Sequence, residues 1–448
     1  MALTNNNTDF NSSDKTIPMP DWNNQAYKGT LPFPENSNGT ELKTTFLYAW
    51  HLDNGASMAD FGGYHMPLWY NNTGVKNEHL AVLESAGIFD TSHMACITVK
   101  GNHAFELLQF CFTRNLNSLE PGRCMYGAFL DDRGFCIDDA IIYKFSRKVY
   151  MICVNSGMGE KITSHLIENK ERINIRNGLS LEITDLTQRI AKMDIQGKNS
   201  ARILAEIIKN PEKIFKRMPY FSFKIAELHD GTSILLSRSG YTGEFGFEIF
   251  VTPWAIVDLW KDILKAGEKF NILACGLGAR DSLRTGAVLP LSHQDIGKSK
   301  FINHPWDFAL AFDGKKRNFT KDFLGKEELL KPDNNYIYPF VGDDLRKVTP
   351  SDKTFVMDES HNKIGTVLTC VTDIAIGWIN KRIFSTASPD LPRHAELKGL
   401  SCGFIMVAEK LEYGTRLFLQ EGRRIINIRT VRDIRPHRTA RKPIRNFL

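Results

Sequence analysis

Ser237-Arg238-Ser239-Gly240-Tyr241-Thr242-Gly243-Glu244-Phe245-Gly246-Phe247-Glu248-Ile249-Phe250-Val251 leaves one apolar run, Ile234-Leu235-Leu236, and ends in another. Both runs read as strands, and Gly240, Gly243 and Gly246 lie between them. Glycine takes backbone conformations closed to other residues and lets a ligand come close to the chain. In the second strand, Phe247, Ile249 and Val251 share one face and Glu248 takes the other. A carboxylate just past a Gly-rich turn can accept hydrogen bonds from a paired N–H edge of a heterocycle. Read alone, the same residues also suit a tight hairpin with an exposed Glu.

The stretch resembles the aminomethyltransferase (glycine-cleavage T-protein) family, which carries Ser-Arg-Thr-Gly-Tyr-Thr-Gly-Glu-Asp-Gly-Phe-Glu-Ile at such a turn. A second stretch, Gly276-Leu277-Gly278-Ala279-Arg280-Asp281-Ser282-Leu283-Arg284, is similar to the family's Gly-Leu-Gly-Ala-Arg-Asp-Thr-Leu-Arg. Two long motifs in order are far more specific than one Gly-rich loop. Glu78 to Ala86 nearly copies the family's Glu-His-Leu-Ala-Val-Arg-Glu-Ser-Ala, and Ile88-Phe89-Asp90-Thr91-Ser92-His93-Met94 resembles the segment that follows it. His93 invites a catalytic reading, but no Ser or Cys nucleophile pattern accompanies it, and a structural role is favoured.

Asp138 and Asp139 precede Ala140-Ile141-Ile142-Tyr143 in a half-apolar strand. Adjacent side chains of a strand point to opposite faces, so one carboxylate is expected in solvent and the other toward an interior or a cleft. A buried Asp is either a satisfied structural group or a tuned functional one. The family has Asp-Asp-(Leu/Ala)-Ile here, and its second Asp is assigned to catalysis; the resemblance carries that role to Asp139. It likewise makes Met94, Tyr126, Asn155, Tyr241, Glu248 and Arg280 the expected tetrahydrofolate-binding residues. Glu248 would hold the amino-pyrimidine edge of the pterin, and Arg280 either binds a carboxylate or pairs within the fold. Asp138 is expected to matter less than Asp139.

The chain has 448 residues, 42% hydrophobic and 24% charged, the profile of an ordinary soluble protein of two or three domains. No apolar run approaches membrane-spanning length. Met1 to Thr40 is rich in Asn, Ser and Pro, and reads as a polar extension, disordered or loosely docked, with neither a secretory core nor the Arg of a transit peptide. None of the eight cysteines forms a Cys-x-x-Cys pair, which suits buried thiols in a cytoplasmic protein and no metal site. The net charge of +6 is concentrated in the segment Arg432 to Leu448, a basic tail that reads as solvated, or else as touching nucleic acid or an acidic protein.

Helices are expected over Thr44 to Asn54, Val75 to Ala86, Asn102 to Cys111 and Gly159 to Asn169, with Gly87 stopping the second. Thr252-Pro253 opens another, whose buried stripe is expected to be Trp254, Val257, Trp260 and Leu264. Strands are expected over Ala95 to Lys100, Tyr126 to Leu130, Phe135 to Phe145, Val149 to Asn155 and near Leu179 to Asp185, the third and fourth paired as a hairpin. From Leu345 onward, short strands at Thr354 to Met357, Lys363 to Thr369, Gly403 to Met406, Thr415 to Leu419 and Arg424 to Ile428 suit a small barrel.

The resemblance covers roughly Thr45 to Arg432. It implies an α+β, three-lobed, folate-binding fold with a C-terminal β-barrel domain, divided as a 1–44 extension, a 45–335 catalytic region and a 336–448 barrel. An insertion lies near 371–397. It also implies transfer of an aminomethyl group from a lipoylated glycine-cleavage carrier protein to tetrahydrofolate, without nucleic acid or membrane. Departures from the pattern are Phe245 for an Asp, Ser292-His293-Gln294-Asp295 for Tyr-Gly-x-Asp, and His304-Pro305-Trp306-Asp307-Phe308 for Thr-Pro-x-Glu-Ala. Pro436 to Thr439 also lacks the family's folate-contacting aromatic. These leave room for a tetrahydrofolate-dependent demethylase of a small methyl donor. A non-enzymatic folate-binding module is disfavoured, because its Lys-Gly-Cys-Tyr-x-Gly-Gln motif is absent.

Overall fold

A computed structural model describes residues 16–20, 22, 42–173, 181–316 and 318–448. The Gly-rich stretch ends in the strand Gly246–Val251, whose residues are all buried. It lies between Ala191–Gln196 and Ser233–Ser237 in a six-stranded sheet, and this double-sided burial explains its near-continuous apolar run. Gly246 is held so close to its neighbour that a Cβ would fall 2.6 Å from the Ile195 carbonyl oxygen. Gly243 has φ +76° and lies against the Arg438 side chain, so the turn requires glycine for both conformation and space.

A second sheet runs in the order Arg123–Leu130, Cys136–Ser146, Val149–Val154, Ala95–Gly101, Leu181–Asp185, antiparallel throughout. Its outer face is covered by the helices Ala104–Cys111 and Gly159–Arg172, which close a core around Leu107, Phe112, Ile152 and Ile162. Its other face meets the six-stranded sheet through Tyr143, Phe145, Phe223, Leu235 and Phe250. The far side of the six-stranded sheet carries the helix Ile256–Gly267. The third lobe is a closed six-stranded barrel, from Tyr336–Gly342 to Arg424–Thr430. The architecture is the expected α+β fold with a C-terminal barrel. Four barrel strands run beyond the expected bounds, to Asp373, across Leu400–Val407, to Glu421 and to Thr430, and Tyr336–Gly342 was not foreseen.

Several details depart from expectation. The helix after Thr252 buries Ile256, Leu259, Trp260 and Ile263, so of the anticipated stripe only Trp260 is fully buried. A 3-10 turn over Pro253–Ala255 precedes the helix and shifts its phase. The helix Gly74–Glu84 ends before Ser85, and Gly87 instead opens the strand Gly87–Asp90. Most of the N-terminal extension lies outside the described residues, as do Leu179 and Ser180. Its described part docks: the Ile17 amide donates to the Phe145 carbonyl at 3.0 Å, and Trp22 is buried in the inter-sheet core.

The basic tail is not a solvated arm. Ile434 and Arg435 are buried, and Phe447 stacks on Phe245 with ring centroids 4.0 Å apart. That stack gives Phe245, one of the departures from the family pattern, a packing role. The insertion contributes a hairpin, Ile376–Ile379 with Arg382–Ser385. Among the described residues, no helix is long and apolar enough to cross a membrane.

Candidate active site

A cavity of about 1000 Å³ is lined by strands of both sheets, the helix Leu277–Gly286, the segment Leu289 to Gln294 and the tail. Met94, Tyr126, Asp139, Asn155, Tyr241, Glu248 and Arg280 all line it. Seven residues from six separate stretches of sequence are thus brought to one chamber.

Asp139 comes from the strand Cys136–Ser146, opposite Ala128, and is half-buried on the cavity wall. Its Oδ2 accepts a hydrogen bond from the Tyr126 hydroxyl at 2.8 Å and its Oδ1 one from Asn155 Nδ2 at 2.6 Å. Asp138 does not lie in solvent on the opposite face. It is wholly buried, and accepts from the Asn155 amide at 2.9 Å and from the same Nδ2 at 2.7 Å. Two features explain the departure from simple alternation. The ladder shifts register beside Phe129 and Leu130, and Val149–Val154 ends where Asn155 turns back over both carboxylates. Burial, followed by the charge of Asp139, pushes Asp138 up to about 7. Burial also raises Asp139, against the opposing pull of its Tyr126 and Asn155 hydrogen bonds.

Glu248 projects from Gly246–Val251 directly opposite Asp194 on the neighbouring strand. Its Oε1 is 2.7 Å from Lys192 Nζ, and its Oε2 accepts from Ser239 and, at 3.4 Å, from Tyr143. Lys192 also meets Asp194 at 2.6 Å, and Asp194 in turn meets Arg280 at 2.8 Å. A buried chain of alternating charge therefore runs Glu248–Lys192–Asp194–Arg280. Against the upward push of burial, Lys192 and Arg280 hold the Asp194 carboxyl below its ordinary value. Arg280 pairs within the fold, and its guanidinium also lies over the Tyr241 ring at 4.9 Å. Tyr241 is fixed by a hydrogen bond from its hydroxyl to the Pro290 carbonyl.

His93 is buried on the cavity wall, its Nδ1 without a hydrogen-bond partner. Burial, with the nearby Arg280 charge, lowers it to about 4, so the neutral imidazole is the resting form at neutral pH. Sequence reasoning missed several lining groups. Arg123, Tyr220 and Arg441 gather on one wall, with Arg441 supplied by the tail. Phe308 lies over Tyr126 with centroids 5.6 Å apart, and His293 stands beside Asp138. Lys192 carried a readable signal: with Asp194 it places two charges at every second residue of an otherwise apolar strand.

An α+β enzyme with a small-molecule chamber walled by carboxylates is what this geometry defines. A family model for the GCVT N-terminal domain matches residues 47–312. An aminomethyltransferase of Symbiobacterium thermophilum is 36% identical over 291 residues, 65% of this chain and 75% of that protein. One of Chlorobium limicola is 34% identical over 327 residues, 73% of this chain and 86% of that protein. The crystal structure of glycine cleavage system aminomethyltransferase T from Bartonella henselae superposes with a TM-score of 0.69 at 26% identity, covering 87% of this chain and 97% of that one. The chain belongs to the aminomethyltransferase (GCVT) family and is an aminomethyltransferase-like enzyme.

Proposed function

We propose that this protein moves a one-carbon unit from an aminomethyl-dihydrolipoyl carrier protein to tetrahydrofolate, with release of ammonia. The observation that carries the reading is the convergence of Asp139, Tyr126, Asn155, Met94, Tyr241, Glu248 and Arg280 on one chamber. Its volume of about 1000 Å³ is at the upper end of small-molecule sites. The site's polar groups suit a pterin: beyond its Lys192, Ser239 and Tyr143 partners the Glu248 carboxylate keeps acceptor capacity for a ring N–H group, and the unpartnered His93 Nδ1 offers one further polar contact. Tyr126, Tyr241 and Phe308 supply apolar walls.

Tetrahydrofolate, when bound, supplies the amine nitrogens that take up the one-carbon unit. Asp139 is the catalytic residue in this reading: an acid–base group whose Oδ1 and Oδ2 are each held by one donor, so that the carboxylate is aimed without depending on solvent. Its negative charge favours a cationic centre developing beside it. Glu248 and Arg280 are locked by the ion-pair chain, so the pterin wall is preorganised before ligand arrives.

A second reading is tetrahydrofolate-dependent demethylation of a small methyl donor. It is favoured by His293 and Phe308, which line the chamber at the two segments where the family pattern is broken. The deciding experiment measures ammonia and methylene-tetrahydrofolate from aminomethyl-loaded carrier, in parallel with methyl-tetrahydrofolate from small sulfonium, amine or aryl-ether donors. Turnover with the carrier is the expected result. Turnover with a small donor and none with the carrier would replace the first reading by the second.

A further inference from the structure

His293 occupies a position where the aminomethyltransferase pattern quoted above has glycine, and the turn that carries it is anchored on two sides. It belongs to the single helical turn Ser292–Ile296, pinned from below by the buried Asp295. Asp295 accepts from Arg284, from Thr369 Oγ1 at 2.5 Å and from the Leu291 amide at 2.8 Å. Gln294 Nε2 donates to Thr369 Oγ1 at 2.7 Å and to the Leu368 carbonyl at 2.9 Å, while Ser292 Oγ accepts from the Asp139 amide at 3.3 Å. The turn therefore spans barrel and catalytic sheet, and places His293 Nε2 3.8 Å from Asp138 Oδ1. The imidazole is 59% exposed and lines the cavity, whereas the Asp138 carboxylate is 0% exposed.

We infer that His293 is the proton-exchange group of the Asp138–Asp139 pair, acting through Asp138 as a positioning residue for the one-carbon transfer proposed above, on which the inference rests. Rotation of the exposed imidazole closes the 3.8 Å gap to hydrogen-bond reach; Asp138 then gives its proton to Nε2, and Nδ1 releases one to water, the reverse path reloading the pair. The groups facing the pair from the surrounding elements are Cys136, Tyr126, Tyr241, Asn155 and Ser292. Among the described residues, His293 is the basic side chain within ion-pair distance of either carboxylate. Burial and the Asp139 charge lift Asp138 to about 7, so its proton is exchangeable near neutral pH. The two carboxylates share one amide donor, and besides the Tyr126 hydroxyl that donates to Asp139, His293 is the acid–base side chain among the described residues that joins them to the open chamber.

Two measurements on the full chain test this. The titration of His293 is followed by NMR of the histidine ring resonances, assigned with His293→Gln, in the wild type and in Asp138→Asn. Removal of the neighbouring charge is expected to lower the midpoint by about half a unit; an unchanged midpoint overturns the inference. This arm needs no turnover, so it stands or falls independently of the identity of the donor. In the rate arm, run with whichever donor supports turnover, His293→Ala is expected to lower kcat about tenfold, with KM for tetrahydrofolate unchanged. Free imidazole is expected to restore part of the rate in a concentration-dependent way. A kcat that is unaffected, or that falls without any response to imidazole, overturns the inference.

Discussion

Replacing Asp373 with Ala tests how the insertion and the tail hold the three lobes together. Asp373 ends the barrel strand Lys363–Asp373 and is 0% exposed. Its carboxylate accepts from Arg435 Nη1 at 2.7 Å and lies 3.2 Å from His79 Nε2. Arg435 reaches on to the Thr242 carbonyl of the Gly-rich turn at 2.5 Å and the Leu283 carbonyl at 3.2 Å, and His79 Nδ1 bonds Ser282 Oγ at 2.7 Å. The tail and the helix Gly74–Glu84 thus meet on one carboxylate, and through them the Gly-rich turn and the helix Leu277–Gly286 are tied in. Removing one partner of a buried ion pair typically costs about 3–5 kcal/mol, because the other charge is left without compensation. Glu244, 3.4 Å from Arg435 Nε, remains as a second anion, so the lower end is expected, about 3 kcal/mol. Asp373→Asn, which keeps an acceptor, is expected to cost less.

The pH dependence has a definite sign. Against the opposing effect of burial, Arg435 and then His79 hold the folded carboxyl far below its ordinary value. The native state therefore binds fewer protons than the unfolded chain. The stabilisation is fully present above about pH 4 and is lost as pH falls below it. Urea unfolding of wild type and Asp373→Ala should give a constant gap from about pH 5 to 8 that narrows below about pH 4. A gap under about 1 kcal/mol at neutral pH, or one that widens with acid, would refute the reasoning.

Asp139→Asn is expected to slow transfer by about two orders of magnitude with tetrahydrofolate affinity largely kept, measured by single-turnover kinetics and calorimetry. Phe447→Ala, which removes the ring stacked on Phe245, is expected to destabilise the protein by about 3 kcal/mol in urea unfolding, with no direct loss from the cavity wall. Transfer from an acidic carrier to a protein of net charge +6 is expected to slow markedly between low salt and about 0.5 M salt, whereas a small neutral donor should be indifferent.

The parts of this molecule that were legible in sequence are those where one local rule acts alone. The Gly-rich turn, the hairpin carrying Asp139 and the barrel strand Thr354–Met357 follow from alternation and glycine placement. The expectation failed where two elements share a residue. Asp138 was expected to face away from Asp139, but Asn155 from the next strand gathers both carboxylates. Lys192 and Asp194 sit inside an apolar strand because each charge has its partner on a neighbouring element, something no single stretch reveals. The tail's regular arginines suggested solvation, yet Arg435 and Phe447 find their partners in Asp373 and Phe245, far back in the chain.

The central claim, that the chamber binds reduced folate with Glu248 on the pterin edge, is tested most directly by calorimetric titration of tetrahydrofolate into wild type and Glu248→Gln. The account predicts one site per chain, weakened about 10- to 100-fold in the variant, the size of a lost hydrogen bond to a charged group. Lys192 keeps Asp194 as a partner and the introduced amide keeps an acceptor, so the variant is expected to fold, with a lowered unfolding midpoint from the lost charge pair. No heat of binding to the wild type, or equal affinity in the two proteins, would contradict it.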